Sequence, residues 1–251
     1  MMKFGIIGYP LGHSFSPEYF KRKFEKEGLN NCHYEIFPLK NLNEFLDLLQ
    51  RETEVYGLNV TTPFKVEVLK YLNSISESAL KVNACNCIEI QRINDEILLI
   101  GHNTDILGFE KSLLRFLQNT KPKALVFGNG GASKAVQFVL KNLGIEFLVV
   151  SRQKSENSIM YEELIWEQVH QHHLLINTSV LGMYPDIETK PPIDYSAVSN
   201  KHYLFDLVYN PAETAFLKEG LLFGAKVCNG FEMLQLQADA AWEIWKKNLT
   251  F

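Results

Sequence analysis

Short β-rich runs alternate with longer stretches of helical period along nearly the whole chain, and this alternation constrains the fold more than any other feature. KFGIIG (3–8), CHYEIF (32–37), YGLNV (56–60) and EILLIG (96–101) come first; ALVFG (124–128), EFLVV (146–150), LLINTS (174–179), YLFDLVY (203–209) and AKVCNG (225–230) follow. Such alternation builds βαβ units, whose parallel sheets are covered by helices. An α/β protein with parallel sheets is therefore expected. At 251 residues the chain exceeds the usual size of one domain, and no internal repeat divides it. Two domains are expected, and NTKPK (119–123) is the clearest punctuation between two sets of βα units.

Between the strands, 16–28, 105–118 and 131–143 have helical period, the last opening behind glycines and ending at Gly144. A final helix over 231–249 repeats Phe231, Leu234, Ala238, Ala241, Trp242 and Trp245 on one face. The tryptophans are then core or domain-interface aromatics.

One strand-to-helix junction carries chemistry. KALVF runs into GNGGASKAVQFVLKNLG, so Gly128, Gly130 and Gly131 let backbone amides approach a pyrophosphate at the positive end of a helix. The third glycine of the usual fingerprint is replaced by Ser133. EFLVV follows at the distance of the second strand of a βαβ unit. Where an NAD site places an acid for the ribose 2′-hydroxyl, the chain has Ser151, Arg152, Gln153 and Lys154. Two cations there suit a 2′-phosphate, so NADP is expected in preference to NAD. The competing reading is a glycine turn with a solvated basic tail.

Four polar clusters fall at ends of expected strands: Ser14 and Ser16 in GHSFSPEYF, Asn59, Thr61 and Lys65 in NVTTPFK, Asn86 in NACNC, and Asn103 and Asp105 in GHNTD. Ligands of open α/β sheets bind beyond the carboxyl ends of strands, so these loops are expected to converge in one cleft. Taken singly, Ser16 ahead of Pro17 suits a helix cap, and Asp105 suits the N-cap of the helix that follows. Pro63 suits the first turn of a helix that would carry Lys65.

Together and in this order, HSFSP (13–17), NVTTPFK (59–65), NTD (103–105), GNGGAS (128–133), NTSVLGM (177–183), FDLVYNP (205–211) and NGFEMLQLQ (229–237) resemble the shikimate dehydrogenase family over nearly the whole chain. The resemblance implies reversible NADPH-dependent reduction of 3-dehydroshikimate to shikimate, on the chorismate route to aromatic amino acids. It also implies a substrate domain from 1–104 and 230–251 and a Rossmann-like NADP-binding domain over 105–229, with hinges near 103–105 and 228–231. By motif position Ser14 and Ser16, helped by Tyr209, would hold the substrate carboxylate. Thr61, Asn86, Asp105 and Gln237 would bind ring hydroxyls, with Lys65 and Asp105 catalytic. Gly128, Asn129, Gly130, Gly131, Ala132, Ser151, Arg152, Leu207 and Gly230 would line the cofactor, and Glu77 would add a contact. Two departures are local. The family's G-A-V-N-T is here N-A-C-N-C, with Asn83 and Cys87 changed, and its N-R-T is S-R-Q, which keeps Arg152.

Hydride transfer needs a group that takes the hydroxyl proton as the carbonyl forms. A free lysine titrates near ~10.4 and is a poor base at neutral pH, and a neighbouring carboxylate raises it further. Lys65 and Asp105 are therefore expected to share the proton as a coupled pair. In the reductive direction a protonated Lys65 is a sound general acid.

Bulk properties exclude other classes. A formal net charge of −4, with no basic run, argues against nucleic acid, and a small-molecule partner fits better. The opening MMKFGIIGYPLGHS is too short in apolar residues for a signal peptide or a membrane span, so a cytoplasmic protein, monomer or homodimer, is expected. Cys32, Cys85, Cys87 and Cys228 lack zinc or redox spacing and read as reduced, mostly buried thiols. HQHH (170–173) reads as a solvated helix-to-strand turn and not a metal site, and no metal is expected. His13 either orients the neighbouring serines or packs. Two rivals stand beside the enzyme reading: a quinate/shikimate dehydrogenase of relaxed specificity, and a non-catalytic NADP-responsive module, which would have no need of Lys65 and Asp105.

Overall fold

The computed structural model describes residues 1–12, 15–94 and 96–249; His13 and Ser14 lie outside the described residues. The chain divides into two compact units, Met1–Thr104 with Gln237–Phe251, and Asp105–Leu236.

In the first unit the chain forms β1 (Met2–Gly8), α1 (Ser16–Glu27), β2 (Cys32–Pro38), α2 (Glu44–Arg51), β3 (Val55–Val60), β4 (Ser74–Ile75), α3 (Glu77–Val82), β5 (Cys87–Ile93) and β6 (Glu96–His102). The strands lie in the order β2-β1-β3-β5-β6-β4. β1 runs parallel to β2 and β3, whereas β5 is antiparallel to β3 and β6. The sheet is mixed, which corrects the expectation of parallel sheets for this half. CIEIQRI is a strand whose Glu89, Gln91 and Arg92 hide it from an apolar count. Only two residues separate its end from β6, too few for the crossover helix that a parallel pair requires.

The segment after β3 also departs from expectation. Turns across 62–66, with a cis Thr62–Pro63 peptide, lead into a 3₁₀ helix over Glu67–Tyr71, in place of an α-helix opening at Pro63. Ser16 is the first residue of α1; Phe15 is the N-cap and no side chain caps it, so Ser16 is not spent on capping.

In the second unit lie α4 (Asp105–Leu117), β7 (Ala124–Phe127), α5 (Gly131–Asn142), β8 (Phe147–Ser151), β9 (Ser158–Met160), α6 (Trp166–Gln171), β10 (Leu174–Asn177), β11 (Tyr203–Asp206), α7 (Ala215–Leu222) and β12 (Lys226–Cys228). Its sheet is parallel throughout, in the order β12-β11-β10-β7-β8-β9. Counted from β7, this is the 3-2-1-4-5-6 order of a doubly wound domain, and it reverses between β7 and β10. Phe109 and Leu113 of α4 and Val136 and Val139 of α5 cover one face of the sheet. Val169 of α6 and Phe216 and Leu217 of α7 cover the other. The last helix, α8 (Phe231–Trp245), starts in this unit and ends in the first. The second crossing thus falls inside the helix, after Leu236, and not ahead of residue 230.

The first unit's sheet also has a core on each face. Ile7, Leu58, Val60 and Ile88 pack on Phe45, Leu48 and Leu49 of α2. Phe4 and Cys87 meet Phe20 and Phe24 of α1 and Trp242 and Trp245 of α8. A Cβ on Gly57 would lie 2.5 Å from the Trp245 ring, so the glycine in YGLNV makes room for the indole, whose Nε1 donates to the Ile88 carbonyl at 3.0 Å. That seat holds the part of α8 that carries Gln237.

Candidate active site

Strand register lines up the candidates of the first unit. Ile7 of β1 pairs with Val60 of β3, Asn59 with Cys87 of β5, and Cys87 with His102 of β6. β1, β3 and β6 therefore end where β5 begins, and Gly8, Thr61, Asn86 and Asn103 follow one another along one sheet edge. Main-chain bonds continue past the strands: Thr61 N donates to Ile7 O at 3.0 Å, Val60 N to Asn86 O at 2.9 Å, and Asn86 N to His102 O at 3.1 Å. Lys65, half-buried on the turn after Thr61, is held through its carbonyl, which accepts from Cys85 N at 2.7 Å.

Side chains knit this edge together. The buried Ser16 hydroxyl lies beside that of Tyr34. Tyr34 stacks on Phe20 with ring centroids 4.4 Å apart and donates to Asn59 Oδ1 at 2.8 Å. Burial pushes its phenol well above the ordinary tyrosine range, so it stays a neutral donor. Asn59 Nδ2 donates to Asn86 O at 3.3 Å, and Asn86 Nδ2 donates to Thr104 Oγ1 at 3.0 Å and Gln237 Oε1 at 3.3 Å. One residue behind the edge, His102 Nε2 meets the Glu89 carboxylate at 3.2 Å, and burial lowers the imidazole below its usual range although the carboxylate opposes this.

In the second unit the glycine turn sits at the reversal of strand order. Gly128 has φ +111°, and a Cβ there would stand 2.8 Å from Thr178 Oγ1, so only glycine fits. Thr178 in turn donates through N and Oγ1 to Phe127 O at 2.9 and 2.8 Å, joining the ends of β7 and β10. A Cβ on Gly130 would meet nothing within 4 Å, so the backbone is open to a ligand, and α5 starts there without a side-chain cap. Open amides at a helix start are what a pyrophosphate requires. Ser133, in place of the third glycine, donates to Gly128 O at 2.7 Å and closes the turn by its side chain.

Around that turn, Ser151 donates to Gln153 O at 2.5 Å and touches Ser158, so its hydroxyl shapes the loop that presents the exposed Arg152. Lys154 is ion-paired with Glu163, which leaves Arg152 as the cation at the end of β8 that is not tied to that carboxylate. Asp206, at the end of β11, accepts from Asn177 Nδ2 and Val208 N, both at 2.9 Å, and from Thr214 Oγ1 at 2.6 Å. It fixes the segment carrying Leu207 and Tyr209. A Cβ on Gly230 would stand 2.1 Å from Leu207 O, so these two backbones need each other's shape.

Comparison with known proteins settles the family. The profile of the shikimate dehydrogenase substrate binding domain matches residues 6–88. The shikimate dehydrogenase (NADP(+)) of Clostridium beijerinckii is 37% identical over 97% of this chain and 92% of its own. The chain belongs to the shikimate dehydrogenase family. In structure, shikimate dehydrogenase 1 of Peptoclostridium difficile superposes with a TM-score of 0.84 at 33% identity, covering all of this chain and 94% of the other. Shikimate 5-dehydrogenase of Thermus thermophilus, solved in complex with NADP(H) and shikimate, gives 0.85 at 29% identity, covering all of this chain and 95% of its own. These neighbours share the two-domain α/β fold with a Rossmann-like half.

Within the family's framework, the structure gathers Ser16, Thr61, Lys65, Asn86 and Gln237 in the first unit. Asp105, Tyr209, Leu207, Gly230, Ser151, Arg152 and 128–132 lie in the second. Glu77, unlike the other cofactor candidates, belongs to the first unit: it is the first residue of α3, ion-paired to Lys81 at 2.6 Å, which holds its carboxyl below the usual range. Asp105 is buried as the first residue of α4, where an acid suits the helix dipole. Tyr34, Thr104, Thr178 and Asp206 were not expected. NTD, NTSVLGM and FDLVYNP contain three of them, but nothing in their residue type sets them apart. Among the described residues no three His, Cys, Asp or Glu side chains come together as a metal site, and no helix is long and apolar enough to cross a membrane.

Proposed function

We propose that this chain catalyses the reversible NADPH-dependent reduction of 3-dehydroshikimate to shikimate. One coincidence carries the proposal: a sheet edge lined by Ser16, Thr61, Asn86 and Gln237 occurs in the same chain as a ligand-open glycine turn at the reversal of a 3-2-1-4-5-6 sheet. Hydroxyl and amide groups spaced along an edge suit a small polyhydroxylated acid, and the turn suits a dinucleotide.

In this reading Ser14, Ser16 and Tyr209 hold the carboxylate by hydroxyl donors, without an arginine fork. Thr61, Asn86, Asp105 and Gln237 bind ring hydroxyls. Residues 128–132 cradle the pyrophosphate, Arg152 binds the 2′-phosphate on a loop shaped by Ser151, Leu207 and Gly230 form a wall of the site, and Glu77 adds a contact. The bound nicotinamide supplies the hydride. Protonated Lys65 gives its proton to the carbonyl oxygen as charge grows there; in the reverse direction Lys65 and Asp105 share the hydroxyl proton.

The test is absorbance at the nicotinamide band with shikimate or quinate, crossed with NADP or NAD. Shikimate with NADP is expected to turn over fastest; comparable rates with quinate would favour the relaxed-specificity enzyme, and silence in all four combinations would overturn the enzyme reading. Lys65→Met should lose kcat with KM little changed, and equal loss of binding would contradict a chemical role.

A further inference from the structure

Among the described residues the two sheets end in four edge strands, and three of these are short: β4 has two residues, and β9 and β12 have three each. Short edges resist pairing with a second chain. β2 is the exception, with seven residues over Cys32–Pro38. Its ladder to β1 is bracketed by Met2 N donating to Asn31 O at 2.8 Å and Leu39 N donating to Gly8 O at 3.2 Å. Main-chain groups alternate along a strand, so His33, Glu35 and Phe37 bond towards β1, and Cys32, Tyr34, Ile36 and Pro38 turn theirs outward. Cys32 N is already used by Leu29 O at 3.2 Å, and a proline has no N–H. The free donors of this edge are therefore the main-chain N–H groups of Tyr34 and Ile36.

The two faces beside the edge differ. Cys32 and Tyr34 lie on the face that α1 covers, so Ile36 shares it, and there Ile36 is 40% exposed. A groove of about 460 Å³ runs between α1 and the strand, and Phe24 and Leu29 line it with Cys32. His33 and Glu35 share the opposite face with the buried Phe37.

A second copy of the chain can meet this edge antiparallel about a twofold axis, and the registers available are unequal. Ile36 opposite Ile36 sets Tyr34 against the partner's Pro38, which cannot donate. Tyr34 opposite Ile36 sets Glu35 against the partner's Glu35, a like-charge pair. Tyr34 opposite Tyr34 avoids both faults. The Tyr34 main chains then exchange their N–H and C=O groups, and each Ile36 N–H meets the partner's Cys32 carbonyl, so every free donor is used. His33 falls opposite the partner's Glu35 on one face. On the other, the exposed Ile36 side chain falls beside the partner's Cys32, where Phe24 and Leu29 line the groove.

We propose that this chain forms a twofold dimer through β2 in the register that opposes Tyr34 to Tyr34, joining the six-stranded sheets of two copies into one. Backbone bonds, charge and the apolar knob all select the same register. The contact uses the main chain of Tyr34 and leaves its hydroxyl on Asn59, so it does not depend on the substrate reading.

Sedimentation equilibrium over a concentration series reads the dimer dissociation constant. Ile36→Pro deletes an outward N–H and the apolar knob but no bond to β1, and edge strands tolerate proline in that position. It should weaken the dimer at least about tenfold, with the circular dichroism spectrum unchanged. Position 33 reads the register. His33→Lys sets a permanent cation against the partner's Glu35 and should tighten the dimer about threefold to tenfold, and His33→Glu should loosen it by as much. These two variants decide the outcome even where Ile36→Pro does not fold. Wild-type protein that stays monomeric up to high micromolar concentration would overturn the proposal. A dimer indifferent to a folded Ile36→Pro variant would place the contact elsewhere and overturn it as well. Weakening by Ile36→Pro without opposite responses of the two His33 variants would overturn the register.

Discussion

Asp206 is fully buried, and its three donors do not compensate for the loss of water: burial pushes its carboxyl up to about 7. An unfolded aspartate titrates near ~3.9, so the native state holds the proton more tightly between the two values. A folded value raised above the unfolded one gives stability that is complete below ~pH 4 and lost as pH rises through about 7. Across about pH 5 to 8 the two titrations together remove about 2–3 kcal/mol of stability. Asp206→Asn should abolish that dependence. Its Oδ1 keeps the bonds from Asn177 and Val208, and its Nδ2 faces the Thr214 hydroxyl, which turns to accept. Urea unfolding of wild type and variant at about pH 5 and 8 reads the difference, and the variant should gain about 2–3 kcal/mol on wild type between the two. Parallel pH profiles for the two proteins would refute the reasoning, because they would mean that Asp206 is ionised in the native state across the whole range.

Three other substitutions probe contacts described above. Gly57→Ala forces a Cβ to within 2.5 Å of the Trp245 ring and should cost about 1–3 kcal/mol in urea unfolding; wild-type stability would mean that the indole is not seated on the strand. Gly230→Ala drives a Cβ to 2.1 Å from Leu207 O and should weaken NADPH binding, followed by its fluorescence, while the shikimate dissociation constant stays unchanged. Glu163→Gln keeps the bond to Met160 N through its amide oxygen but releases Lys154, so affinity for NADP relative to NAD should rise about twofold to fivefold. The double variant with Lys154→Met should cancel that gain, and a gain that persists would place its origin elsewhere.

What the sequence made legible depended on whether a residue's type carries the signal. The glycine turn was readable because φ +111° at Gly128 and the open approach at Gly130 each demand a missing side chain, and a strand-turn-helix context frames them. Spacing alone shows only that Ser133 replaces the third glycine; in three dimensions its hydroxyl closes the turn it occupies. The β5–β6 hairpin escaped because its polar residues break the apolar run, and with it went the mixed topology that brings Asn86 beside Thr61. The two cations expected for a 2′-phosphate were readable as letters, but the carboxylate that engages Lys154 is nine residues further on and has no pattern of its own. Least visible was the Asn86 network. Its partners are 18 and 151 residues away, and the group that sets its polarity is the main-chain N–H of Thr104, which almost every residue type possesses. Residue type can therefore nominate Asn86 and Gln237 singly, but the bond that joins them appears only once the strand edge and α8 are placed together.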